Sequence, residues 1–133
     1  NTDQLGAAIG SVYGAPAQQQ FLKLWNAHIG YFVNYTLGVA THDKAKVATA
    51  QKDLNGYIDQ FSTFISGATK LPKSAVVADL TGHVSTLEAA INAIVAGSSS
   101  ASVKLQMAEN HMAGTAAVLA QGIAASMPAR FTS

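Results

Sequence analysis

The sequence predicts an all-α fold: an antiparallel up-down-up-down four-helix bundle built of two pseudo-repeated helical hairpins, with a short helix in front. Three observations point there. Apolar residues recur at alternating three- and four-residue spacing over long stretches, the signature of helices that bury one face. Proline occurs only three times in 133 residues, at Pro16, Pro72 and Pro128, places that suit helix starts or the residues just past helix ends. No alternating β-branched run flanks an Asn-Gly or Asp-Gly turn, and Asn55-Gly56 lies inside a helical pattern.

The short helix is expected at about 2–13, with Leu5, Ala8 and Val12 on one side. The first long helix, about 16–41, carries Phe21, Trp25, His28, Phe32, Tyr35, Val39 and His42 as its stripe. The second, about 43–67, carries Val47, Ala50, Leu54, Ile58, Phe61 and Ile65. The third, about 72–97, carries Val76, Leu80, His83, Leu87, Ile91 and Ile94. The fourth, about 100–127, is looser, with Val103, Met107, His111, Met112, Leu119 and Ile123. The links agree with this division. Thr41-His42-Asp43 reads as a tight turn with an acidic start to the next helix, and 67–72 as a loop ending in a helix-initiating proline. Gly97 followed by Ser98-Ser99-Ser100 combines a glycine stop with N-cap serines.

Length and composition narrow the function classes. A chain of this size suits one domain over 1–133 with a real core. Hydrophobic residues are 49% and charged residues 11%, against an ordinary ~25% charged, which excludes disorder. Net charge is +1 with a single arginine, Arg130, so the basic patch of a nucleic-acid binder is missing. Without cysteine there are no disulfides, thiolate metal sites or cysteine nucleophiles. No apolar run approaches the ~20 residues of a membrane span. The chain begins at Asn1, as expected of a processed form, a fragment or a trimmed chain.

Setting His28 on His83 aligns the two halves of the chain. Phe21 then falls on Val76, Trp25 on Leu80, His42-Asp43 on Gly97-Ser98, Asn55 on Asn110 and Phe64 on Leu119. Two related hairpins, about 16–67 and 72–127, follow from this register. Residues 1–13 fit as a remnant of the same pattern, with Asn1 near the place of Asn55, which would make the chain the end of a longer helical tandem.

The bundle places the histidines by height, at about 1.5 Å of rise per residue. His28 lies as far before the turn at His42 as His83 lies before Gly97. The same distance into the following helices reaches Tyr57 and the stretch from His111 to Ala113. His28, His83 and His111 therefore share a mid-height layer with Gly56 and Gly114, each of which costs roughly 0.8–1 kcal/mol against alanine inside a helix. Those glycines are expected to make room for close packing or a bound group.

Three imidazoles in one layer suit a transition metal such as copper, zinc, iron or nickel. His28, His83 and His111 are the expected ligands, with Met107, Glu109, Asn55 and Asn110 as further candidates. A thioether beside imidazole favours copper, above all Cu(I). Haem is an alternative cofactor, with His28 and His83 as axial ligands across the core, although no arginine is placed for propionates and no Cys-x-x-Cys-His motif occurs. A ferritin-like di-iron site has little support, because it needs several inward glutamates and Glu-x-x-His pairs, whereas Glu88 and Glu109 are the only glutamates and neither starts that motif. The bland alternative is a structural or interaction module whose histidines merely pack. His42 is expected at a helix end, and Met107, Met112 and Met127 are gap fillers by default. Catalysis has little to stand on: no Gly-x-Ser-x-Gly elbow, P-loop, dinucleotide fingerprint or close carboxylate pair is present. The expected partners are a metal ion or small cofactor, with a homo-oligomer as a further option and no nucleic acid.

The stretch Phe21-Leu-Lys-Leu-Trp25-Asn-Ala-His28-Ile-Gly-Tyr-Phe32-Val-Asn-Tyr35-Thr36 resembles a pattern in poorly characterised secreted bacterial tandem helical-hairpin proteins. There a tryptophan stands three residues before a histidine and aromatics follow. Leu80-Thr-Gly-His83-Val and His111-Met112 are similar to the same type. The resemblance implies the bundle of hairpins and a secreted or cell-surface location in a bacterium. It carries no established activity.

Overall fold

The computed structural model describes residues 2–126 and, within them, all side chains but those of Thr2, Asp3, Leu5 and Ser126. The expectations placed on Asn1, Met127, Pro128 and Arg130, and on the Leu5 side chain, lie outside the described residues. Five helices follow one another: α1 Thr2–Tyr13, α2 Ala15–Ala40, α3 Lys44–Ala68, α4 Lys73–Val95 and α5 Ala101–Ser126. There are no strands among the described residues, and no helix there is long and apolar enough to cross a membrane.

Local chemistry sets the boundaries. Pro16 stands at the first positions of α2, and Pro72 caps α4, where a missing N–H costs nothing. The Asp43 carboxylate accepts a hydrogen bond from the Lys46 N–H at 3.1 Å, closing the N-terminus of α3. α2 and α4 end in the same way. Asp43 N–H donates to Gly38 O and His42 N–H to Val39 O; Ser98 N–H donates to Ala93 O and Gly97 N–H to Ile94 O. Both are Schellman caps, whose pivot residue is left-handed. The pivots are His42 at φ 56° and Gly97 at φ 66°, the two residues that the histidine register pairs.

Consecutive helices pack against one another, and α2 also touches α4. The core lies between α2, α3 and α4. Phe21, Leu24 and Phe32 meet Leu54, Tyr57, Ile58, Phe61 and Ile65, then Val76, Leu80 and Val84, with Ile9 of α1 joining at one end. Polar links also cross the helices, among them the following two. The Tyr35 hydroxyl donates to Asn92 Oδ1 at 2.9 Å, and Lys73 Nζ pairs with Asp59 at 2.8 Å on the surface.

The stripes of α2 and α3 lie where they are expected, save His42, which is exposed. Those of α4 and α5 need correction. Ile94 is exposed, and Val84, Ala90 and Ala93 face inward instead. On α5, Val103 and Met107 are exposed, whereas Ala108, Thr115 and Gly122 are buried. Small residues are the most buried on α5, while Leu119 and Ile123 of the expected stripe are partly buried against the core.

Candidate functional site

A chain of ring contacts runs from α2 through the middle of the core to α5. The α2 stripe puts His28 one turn from both Trp25 and Phe32. Its ring stands edge-on to Trp25 at 4.7 Å and edge-on to Phe32 at 6.0 Å, and it stacks on Tyr57 of α3 at 4.7 Å. Phe32 in turn meets His83 of α4 edge-on at 6.4 Å. His83 lies parallel to His111 of α5, ring centres 6.4 Å apart and planes 19° from parallel. The three histidines thus share one layer, but only His83 and His111 face each other directly. Phe32 makes edge-on contact with both His28 and His83.

The rings are held differently. His28 is buried, and its Nδ1–H donates to the Trp25 carbonyl at 2.6 Å; the acceptor fixes the tautomer and leaves the lone pair on Nε2. Burial lowers the His28 pKa, the Trp25 hydrogen bond works against this, and His83 adds to it. His83 is half-buried. Its Nδ1 is buried and has no hydrogen-bond partner, a loss of about 1–3 kcal/mol for an ordinary polar group. Burial lowers its pKa first, repulsion from His111 second, with Asp79 pulling the other way. Both rings are therefore held toward the neutral form that can ligate a metal. Burial raises the Tyr57 phenol well above its ordinary range, so it packs on His28 as a neutral ring.

One glycine makes the histidine pair possible. A Cβ added at Gly82 would meet His111 Nε2 at 2.5 Å. Any larger residue would displace the ring from its place beside His83. The room expected from Gly56 and Gly114 is not there: a Cβ at either meets nothing within 4 Å, because both face outward. The sequence pointed to glycines at the histidine level but not to Gly82, which is next to His83 in the chain.

The other candidates stand apart. Met107 is 56% exposed, on the surface near Ser85, Thr86, Ala89 and Lys104. Glu109, Asn55 and Asn110 are exposed, and Asn110 accepts from Gln106 on its own helix. Since α5 turns Ala108, His111 and Thr115 inward, positions 107, 109 and 110 point away. Among the described residues no three histidine, aspartate or glutamate side chains converge as a metal would need. Sequence reasoning missed a second feature. An apolar cleft of about 180 Å3 lies beside the histidine layer, between α1, α2, α3 and α5. Its signal was the run of alanines on α5.

Neither protein-family models, curated proteins nor solved structures match the chain.

Proposed function

We propose that this is a small transition-metal-binding protein whose ion sits between His83 and His111. The observation that carries the reading is the buried, unpartnered Nδ1 of His83 beside a His111 ring seated over Gly82. A metal–nitrogen bond of about 2.0–2.1 Å would satisfy that atom. The ring centres are 6.4 Å apart and the planes 19° from parallel, so the two rings must turn for their in-plane nitrogens to reach one ion. Two imidazoles with solvent completing the shell suit copper, zinc or iron; copper leads, because it stands highest in the affinity order for nitrogen sites. His28 acts as a packing residue that holds Phe32 and Tyr57 in place, and Met107 and Glu109 are outside the ligand set. The four long helices are read as an up-down-up-down bundle of two related hairpins, and the location as secreted or cell-surface.

Tag-free protein titrated with copper, zinc and iron tests this. Metal bound by the folded state alone raises the melting temperature with concentration. His83→Ala and His111→Ala should each abolish that rise, and His42→Ala should leave it. No rise with any of the three ions, or a rise that survives both substitutions, overturns the reading. Haem titration giving a Soret band that is lost with His28 and His83 would replace it with the haem alternative.

A further inference from the structure

The cleft between α1, α2, α3 and α5 is built rather than accidental. In the register that pairs His28 with His83, Phe61 and Ile65 of α3 fall on Ala116 and Ala120 of α5. Phe61 and Ile65 are both buried in the core. Where the first hairpin fills its interior with a phenylalanine and an isoleucine, the second leaves two methyl groups at the rim of a hollow. α1 lies across from them, and its Ala8 is equally small at the cleft.

The lining specifies an occupant. Phe21, Trp25 and Phe61 form an aromatic floor, with Phe21 stacked on Trp25 at 5.6 Å and tilted against Phe61 at 6.2 Å. Among the described residues no charged side chain lines the cleft, so a charged ligand would lose its hydration with nothing in return. Among the described residues of the wall Thr115 carries the only hydroxyl, and it is 3% exposed. Its hydroxyl has one long contact, 3.4 Å to His111 Nδ1, beyond the range of a good hydrogen bond. The volume is about 180 Å3. An apolar cavity of about 150 Å3 stays dry and takes up benzene.

We propose that this cleft binds a small, uncharged, single-ring aromatic molecule bearing one hydroxyl, with the ring on the Phe21–Trp25–Phe61 floor and the hydroxyl on Thr115. The site adjoins the proposed metal pair, since the Thr115 hydroxyl lies 3.4 Å from His111 Nδ1, but it shares no ligand with that pair and stands without it. Trp25 is the only tryptophan of the chain, so its emission reports occupancy.

Phenol and benzene are the probes, followed by Trp25 emission excited where phenol does not absorb, and by protein NMR shifts. Both should bind saturably and shift the signals of the floor residues. Thr115→Val should weaken phenol by roughly 2- to 10-fold, the net worth of one hydrogen bond, and leave benzene unchanged. Ala116→Phe, which copies Phe61 of the first hairpin, should weaken both probes at least ~10-fold, as a filled cavity leaves no room. Ala116 is exposed at the rim, so this variant should melt no lower than the parent. Loss of metal binding in His83→Ala with phenol binding intact would separate the two sites. Three results would overturn the proposal: no saturable response to either probe, equal affinity for Ala116→Phe and the parent, or a protein dimer that Ala116→Phe dissolves, since the cleft would then be an interface.

Discussion

The hairpin of α2 and α3 and the hairpin of α4 and α5 turn through the same Schellman cap but are packed to different ends. The first places Phe21, Leu24, Phe32, Leu54, Tyr57, Ile58, Phe61 and Ile65 in the core. In the second, α4 supplies Val76, Leu80 and Val84, while α5 supplies no buried large hydrophobic among the described residues and reaches the core only with the partly buried Leu119 and Ile123. One hairpin is a scaffold. The other trades apolar burial, worth roughly 25 cal/mol per Å2, for a histidine beside a histidine and a hollow beside both. The proposed chemistry gathers where packing is thinnest.

The largest expected effect tests that asymmetry. Phe61→Ala should cost about 3–5 kcal/mol and Leu54→Ala about 2–5 kcal/mol, as for buried side chains generally. Leu54 is fully buried and Phe61 nearly so. On α5, Met107→Ala and Val103→Ala should stay within about 0.5 kcal/mol, because both side chains are exposed. Urea melts of the four variants decide it. Equal costs on α3 and α5 would mean that α5 carries a core face as dense as that of α3.

A glycine pair sharpens the contrast within the second hairpin. Gly82→Ala sets a helix-propensity gain of about 1 kcal/mol against displacement of the His111 ring, whose Nε2 the new methyl meets, so it should stabilise less than Gly114→Ala or destabilise. It should also remove metal binding. Gly114→Ala adds a methyl to open space and should stabilise by up to about 1 kcal/mol through helix propensity alone. If both glycines respond alike, His111 is not seated over Gly82.

Acid should weaken the protein at the histidine layer. His28 and His83 have lowered pKa values in the folded state, burial being the first cause for each. As pH falls below about 6.5, the ordinary histidine value, the unfolded chain takes up protons that the folded one refuses. The stabilising contribution is complete above that pH and is lost as pH falls through the lowered folded values. Asp79 offsets part of the effect at His83. Melting temperatures across this range should drop toward acid, and less so in His83→Phe. A flat profile would mean that neither ring is held neutral.

How much of this was legible in the sequence depends on which force set each feature. Helix ends were, because Pro16, Pro72, Asp43 and Gly97 act within a few residues of themselves. The cores of α2 and α3 were too, since bulky side chains such as Phe21, Phe32, Leu54 and Phe61 recur with the helical period. The α5 face was legible only in part: Leu119 and Ile123 pack against the core as expected, but Val103 and Met107 are exposed, and the alanine, threonine and glycine that are most buried carry little contrast in hydrophobicity. The histidine layer was legible as a height along the bundle. That Phe32 meets both His28 and His83 edge-on, and that Gly82 rather than Gly56 or Gly114 makes room for a ring, depends on the rotation of each helix about its axis. Packing partners from other helices set that rotation, and residue spacing in one helix does not record it.

The smallest expected effect compares the two caps directly. Both pivots sit in the left-handed region, His42 at φ 56° and Gly97 at φ 66°, where a side chain crowds the backbone and glycine does not. A Cβ at Gly97 would meet no neighbour within 4 Å, so strain in the backbone alone opposes Gly97→Ala, which should cost about 1 kcal/mol. His42→Gly should gain about 0.5 kcal/mol, because relief of that strain is partly offset by the greater freedom of glycine in the unfolded chain. His42 is exposed, so no lost packing confuses the result. Chemical denaturation of both variants should therefore move the two hairpins in opposite directions. If His42→Gly destabilises the protein, the His42 side chain has a task at the turn that the backbone geometry does not account for.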